Sequence, residues 1–442
     1  MQINPKYTKK PLFHPALSQL SKVTPVKKNR ALGTSTKLCS KLDIKRDITL
    51  ADFEKRQAQR GYVYALRDRA SEVLFEPKNL LKDQNRVCAC GKHKRDKEQS
   101  VSVQIDTSTG RAKYNNVIHC GSVWACPVCS FKISQERKRE LAEAMKECRS
   151  QGLHVAMLTL TAPHYLGDDL REMLKKMSKA KHALWSNRNG REYFEHEFPM
   201  VGHITATEVK YSDNNGFHPH YHILLILDKQ YKAEDLEIIE SDIYELWAEK
   251  CVKKGLGKPS REHGVDLKMG SNAEDMLADY IAKWGLAEEM TQSHMKVGKK
   301  NSQSLTMWEV LDLSQMEANI RDKYSYTFKT YTKAFKGRSQ LYWSKGLKVL
   351  LKVQEELSDE EIANKEELAE PESEKLDAVS FSNMEWFLVR KYKQTAQVLN
   401  LVEADFRRDG KASTFESVKR LLHDLKNREV FSRGQGERFP CS

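Results

Sequence analysis

Apolar positions along the chain switch repeatedly between a helical period and a strand period. From Leu50 to Leu74 they recur at helical spacing through "LADFEKRQAQRGYVYALRDRASEVL", just after Thr49, a residue suited to capping the first turn. "FKISQERKRELAEAMKECRS" reads as a basic amphipathic helix and "LREMLKKMSKAKHALW" as a further helix. Between them, "HVAMLTLTAP" is a β-rich run stopped by proline, which predicts a buried strand. "MVGHITATEVKY" and "HYHILLIL" predict two more strands, joined across "SDNNG", a hairpin-type turn. "AEDLEIIESDIYELWAEKCVKKG" and "AEDMLADYIAKW" return to the helical period. The order strand, helix, strand, strand, helix, helix suits an α+β fold with a central antiparallel sheet flanked by helices.

The flanks differ in character. The first forty or so residues are lysine-rich, carry several prolines and show no period, which predicts a loosely packed basic arm. "VQEELSDEEIANKEELAEPESEKLD" is densely acidic with few large apolar residues, and reads as a linker or an exposed helix. "AVSFSNMEWFLVRKYKQTAQVLNLVEADF" and "STFESVKRLLHDLKN" then predict helices of a small C-terminal region.

Charge narrows the field. The 442 residues carry a formal net charge of +13, an excess that favours a polyanionic partner, nucleic acid above all. No stretch approaches the roughly twenty apolar residues needed to cross a bilayer. The N-terminus lacks an apolar signal core, so a cytoplasmic protein without a membrane role is expected. The 9 cysteines are an odd number and crowd together, which in a reducing compartment argues for metal rather than disulfides.

Metal is also the reading of "GFHPHYHILLIL". Residues two apart on a strand share a face, so His218, His220 and His222 lie together, with Tyr221 opposite. Two adjacent imidazoles can grip one divalent cation, and the apolar run behind them anchors the platform. Glu208, across the "SDNNG" turn, is placed to add a carboxylate. A strand-end histidine that merely forms a hydrogen bond is the common alternative, but three within five residues outweigh it.

"CACGKHK" and "HCGSVWACPVCS" bring Cys88, Cys90, Cys120, Cys126 and Cys129 together. The "CPVC" pair has the knuckle spacing of structural zinc sites. Cys90, Cys120, Cys126 and Cys129 are the expected ligand set for Zn²⁺, with Cys88 the rival to Cys90. Four thiolates close the tetrahedron and leave no catalytic water site. Cys39, Cys148, Cys251 and Cys441 stand apart.

"DYIAKW" places Tyr280 and Lys283 on one helical face. Alone this pair means little. In order with the histidine strand, the set resembles the HUH endonuclease superfamily, and more closely the single-tyrosine rolling-circle replication initiators of plasmids. "LTLTAP" looks like that family's first motif strand, "HPHYHILLIL" like its second and "DYIAKW" like its third, and "CGSVWACPVCS" is similar to a segment of such initiators.

The resemblance implies a metal-dependent nicking and closing enzyme. His220, His222 and Glu208 would hold Mn²⁺ or Mg²⁺, with His218 as their neighbour. Tyr280 would attack the scissile phosphate, leaving a 5′-phosphotyrosyl link and a free 3′-hydroxyl, and Lys283 would assist. "FKGRSQLYWSKGLK" resembles a family segment after these motifs, with Lys336, Arg338, Trp343 and Lys345 as DNA contacts. Trp185, Trp284 and Tyr342 are further stacking candidates. Some relatives carry a Glu or a second Tyr one turn before the nucleophile for terminating cleavage, where this chain has Met276. Glu274, Asp275 and Asp279 lie near but lack that spacing.

The implied partners are plasmid origin DNA, double- and single-stranded, and a host helicase and DNA polymerase, with a homodimer at the origin. The implied domains are a basic arm and helix (1–87), a zinc module (88–135), the HUH endonuclease domain (150–350), an acidic linker (351–378) and a C-terminal helical region (379–442). A transposase or mobilisation relaxase on the same fold, or a non-catalytic zinc-containing DNA-binding regulator, is the alternative.

Overall fold

The computed structural model describes residues 49–270, 304–353, 357–364 and 374–434. The basic arm therefore lies outside the described residues. Strands β1 (Val101–Asp106), β2 (Arg111–Asn115), β3 (His154–Thr161), β4 (Met200–Ser212), β5 (Gly216–Leu227), β6 (Val265–Met269), β7 (Leu341–Trp343) and β8 (Lys375–Phe381) form two sheets. The larger has the order β6-β3-β5-β4-β7 and the smaller β2-β1-β8, with every pairing antiparallel. Helices surround them: α1 (Leu50–Leu74), α2 (Pro127–Ser150), α3 (Leu170–Ser186), α4 (Ala233–Lys253), α5 (Met307–Leu313), α6 (Ala318–Phe335), α7 (Asn383–Lys391), α8 (Thr395–Asp409) and α9 (Glu416–Gly434). The α+β class expected from the pattern is the class observed.

The larger sheet explains why "HILLIL" is unbroken. Both faces of β5 are covered, so alternation has no solvent side to mark. Leu224 and Ile226 pack with Leu141, Met145 and Cys148 of α2. Tyr221, Ile223 and Leu225 pack the other way, with Met177 of α3 and Trp247 of α4. The histidines share the α2-side face and sit beyond the helix's apolar contacts, toward the hairpin end. Register then fixes their neighbours: Glu208 pairs with His220, Ala206 and Thr159 with His222, and Thr161 with His220.

The smaller sheet was not expected. Val101, Val103 and Ile105 alternate with polar residues and are fully buried, a strand period inside the stretch assigned to the zinc module. Its third strand, β8, straddles the boundary drawn at residue 378, because Leu376 and Phe381 pair with Ile105 and Val101. Helices α7, α8 and α9 close over this sheet with Trp386, Leu399 and Leu422. Glu403 of α8, with a fully buried side chain, accepts hydrogen bonds from Arg60 (2.5 Å), Arg56 (3.2 Å) and the Ala112 amide (2.9 Å). The C-terminal helices are thus joined to α1 and to β2. The acidic stretch also docks where it is described: Asp359 pairs at 2.9 Å with the buried Arg137 of α2, and Glu360 with Arg86.

Candidate metal centres

The hairpin brings three donors to one point. The Glu208 Oε2 oxygen lies 3.1 Å from His220 Nε2 and 3.0 Å from His222 Nε2. One donor atom of each of the three residues lies within 4.8 Å of the others. Both imidazoles are buried and Glu208 is half-buried. The outer ring nitrogens are held as well. His220 Nδ1 is 3.3 Å from the His218 carbonyl, and His222 Nδ1 is 3.2 Å from the Thr159 hydroxyl. A carbonyl only accepts, so it calls for Nδ1–H on His220 and leaves Nε2 with a lone pair. That lone pair and the Glu208 oxygen are then two acceptors 3.1 Å apart, an arrangement stabilised by a cation or a proton between them.

Electrostatics agree with the donor set. Burial alone would raise the Glu208 carboxyl. The neighbouring His220 and His222 imidazoles outweigh it, with Lys210 adding positive charge, and hold it well below the usual carboxylate range. A carboxylate with two imidazole nitrogens fits a divalent cation and leaves coordination positions open. His218 is not among the three donors. Its ring stacks on His164 at 4.3 Å, and burial, then the neighbouring His220 and His164, push its imidazole down to about 4.

The cysteines form a second cluster. Cys90 Sγ lies 3.5 Å from Cys129 and 3.6 Å from Cys126, and Cys120 Sγ is 3.6 Å from Cys129. All four are buried. These separations are too long for disulfides. A tetrahedral zinc site with bonds of about 2.3 Å places its sulfurs roughly 3.8 Å apart, so the cluster matches such a cage closely. Cys88 sits outside it, half-buried, its thiol donating to the Ser71 carbonyl at 3.5 Å. Cys148 and Cys251 are buried apart from the cluster. Cys39 and Cys441 lie outside the described residues.

Tyr280 and Lys283 also lie outside the described residues, as do Met276, Glu274, Asp275, Asp279 and Trp284. Their flanks are described. The chain leaves from β6, whose Met269 pairs with Ala156. It is described again at Ser304, and Leu305 exchanges two backbone hydrogen bonds, 2.8 and 2.6 Å, with Tyr211 of β4. Tyr211 stands three residues beyond Glu208 on the same strand.

The expected DNA contacts cluster less tightly. Lys336 and Lys345 are exposed. Arg338 is half-buried, donates to the Ala334 carbonyl at 3.3 Å, and its own carbonyl takes the Trp124 indole N–H at 2.7 Å. Trp343, on edge strand β7, lies under Lys348 Nζ at 5.1 Å. Trp185 is stacked on buried His203 at 4.9 Å, which spends its ring on the core. Tyr342 is 55% exposed and lies 4.9 Å from Lys181 Nζ. Lys181, which sequence reasoning missed, also meets the Tyr221 ring at 5.0 Å, and burial lowers its ammonium to about 8. Thr159 was missed too, since nothing marks a strand threonine until pairing sets it against His222.

A family model described as replication protein matches residues 111–397, well over half the chain. The chain belongs to this replication protein family. The match takes in Cys120, Cys126, Cys129, the Glu208–His220–His222 cluster and the 271–303 segment with both its flanks, but begins beyond Cys88 and Cys90. Among curated proteins, the chain is similar to a protein rep of Streptomyces lividans, 25% identical over 224 residues, covering 41% of this chain and 49% of the relative. It is also similar to a protein rep of Lentilactobacillus hilgardii, 25% identical over 169 residues, covering 38% of this chain and 49% of that protein. A neomycin resistance protein of Streptomyces cyanogenus is 25% identical over 144 residues, covering 27% of this chain and 33% of the relative. The chain spans about half the length of these relatives or less. No solved structure matches it. Among the described residues of this replication protein, no helix is long and apolar enough to cross a membrane.

Proposed function

We propose that this replication protein nicks one strand of a plasmid's double-strand origin, initiates rolling-circle replication there, and later rejoins the strand. The observation that carries this reading is the convergence of the Glu208 carboxylate on the inner nitrogens of His220 and His222, 3.0–3.1 Å away. Membership of the replication protein family supplies the context.

Glu208, His220 and His222 would hold Mn²⁺ or Mg²⁺, and two imidazoles favour the former. When bound, such a cation withdraws charge from the non-bridging oxygens of the scissile phosphate. Thr159 and the His218 carbonyl keep the inner nitrogens of both rings turned toward Glu208, where they would meet the cation. Tyr280 supplies the nucleophile. Its oxygen gives up its proton and bonds to phosphorus, the bond to the 3′-oxygen breaks and that oxygen takes up a proton to leave as the 3′-hydroxyl, and the 5′-phosphate remains on the phenol. The phosphodiester energy is conserved in that link, so rejoining needs no nucleotide cofactor. Lys283 stabilises the phenolate or the attacked phosphate. Lys336, Arg338, Trp343 and Lys345 contact the DNA strand. Cys90, Cys120, Cys126 and Cys129 would hold structural Zn²⁺. Host helicase and polymerase extend from the freed 3′-hydroxyl, in the cytoplasm.

EDTA tests the reading directly. Conversion of supercoiled origin plasmid to the open circle is expected to stop in EDTA and to return when Mn²⁺ is restored, whereas nicking that persists in EDTA excludes this role for the cluster.

A further inference from the structure

Immediately after β3 the chain makes a tight turn, "HYLGD", from His164 to Asp168. Tyr165 is 70% exposed and Leu166 63%. One exposed apolar side chain needs no account. Two in succession, on a turn this firmly held, do.

The turn is fixed at both ends. The Asp168 carboxylate accepts from the Tyr165 amide at 2.8 Å, and the Asp168 amide donates to the Tyr165 carbonyl at 3.1 Å. The next residue, Asp169, caps α3 by accepting from the Glu172 amide at 2.8 Å. Beneath it lies the β4–β5 hairpin. Gly216 has φ +75°, and a Cβ there would sit 3.3 Å from the Tyr165 carbonyl oxygen and 3.4 Å from Leu166 Cα. A side chain there would be strained at that backbone angle and tight against the turn, which favours glycine.

The same contact ties the turn to the metal cluster. His164 stacks on His218 at 4.3 Å with an interplanar angle of 8°, and the His218 ring lies 5.1 Å from that of His220. Two large exposed side chains therefore follow directly on the residue whose ring stacks on His218, the neighbour of the donor cluster. With membership of the replication protein family and the stacking contact that joins the turn to the neighbour of the donor cluster, the occupant that fits is DNA. Unpaired bases present flat apolar faces suited to such a ledge, and apolar side chains wedged between base steps unstack a duplex.

We infer that Tyr165 and Leu166 form a wedge that stacks on bases next to the cleaved phosphodiester and holds the origin strands apart. The inference rests on the proposed nicking function and adds a strand-separating element to it. No covalent step is assigned to either residue.

The double variant Tyr165→Ala/Leu166→Ala is compared with the parent on two relaxed origin duplexes, one fully paired and one with a mismatched bubble across the nick. On the paired duplex nicking is expected to fall at least about tenfold, the loss of one or two base stacks. On the bubble the two proteins should differ by less than about threefold, since the strand is already open. Equal losses on both substrates would mean that the turn merely supports the metal cluster, and no loss on either would mean that it touches no bases. Either result overturns the wedge.

A second arm works without cleavage. In Tyr165→Trp, added single-stranded oligonucleotide should quench the new indole fluorescence, while the indole of Phe431→Trp on α9 is unaffected. Absence of quenching at position 165 overturns the wedge. If the parent cleaves neither duplex but quenching occurs, the nicking function fails and the base-stacking turn stands. Self-association of the parent that the double variant loses, with no change in DNA binding, assigns the turn to a contact between copies of the chain and also overturns the wedge.

Discussion

Replacing His222 by alanine is expected to reduce strand nicking by about a thousandfold or more while the protein stays folded. A Lewis acid at a developing phosphoryl charge contributes several kcal/mol, and each 1.4 kcal/mol is about tenfold in rate. His222 has a 5% exposed side chain and touches both the Glu208 carboxylate and the Thr159 hydroxyl. Its loss leaves two donors, and the substitution removes the most buried of the three. Nicking rates at saturating Mn²⁺, with calorimetric titration of the cation, measure the effect, and both rate and affinity should fall. His203→Ala is the matched control. His203 is a buried histidine of the same sheet, stacked on Trp185, and its loss should lower the melting temperature without changing the affinity for Mn²⁺. Equal effects of the two variants on Mn²⁺ affinity would remove the special standing of His222.

Disruption of the four-cysteine cluster is expected to be the largest perturbation of stability. The four clustered thiols belong to one core with Leu66 and Ala70 of α1, Trp124, and Phe328 and Phe335 of α6. Trp124 and Phe335 pack with ring centroids 4.6 Å apart. Binding free energy at a four-thiolate zinc site is folding free energy, on the order of 10 kcal/mol in small zinc domains. The purified protein should contain about one zinc per chain. Cys129→Ala should lose that zinc and lower the melting temperature by about 5 °C, as a loss of several kcal/mol requires in a chain of this length. Cys88→Ala should do neither, because its thiol points to the Ser71 carbonyl rather than into the cluster. Elemental analysis and thermal melts decide. Zinc retained by Cys129→Ala, or zinc lost from Cys88→Ala, would redraw the ligand set.

Much of this was legible because the decisive signals are local. Strand period alone puts His218, His220 and His222 on one face. A five-residue turn then sets Glu208 against His220, since hairpin pairing follows turn length. The cysteine knuckle is equally short-range. What the sequence did not disclose depends on distant pairing. Strand β8 joins β1 from more than 250 residues away, so no turn advertises the match, and the acidic character of the preceding stretch pointed to a linker. The buried Arg137 that receives Asp359 looked like one more cation on a basic helix. Trp185 read as a stacking candidate because nothing in the sequence reveals that His203 already covers its ring. Thr159 acquires meaning only once register places it against His222.

Covalent capture bears most directly on the account. Protein is incubated with a labelled origin single strand and Mn²⁺, and the DNA-linked peptide is sequenced by mass spectrometry. The account predicts one phosphotyrosyl adduct, on Tyr280, absent in EDTA and absent from Tyr280→Phe. An adduct that forms undiminished in Tyr280→Phe, or that maps to another residue, would contradict it.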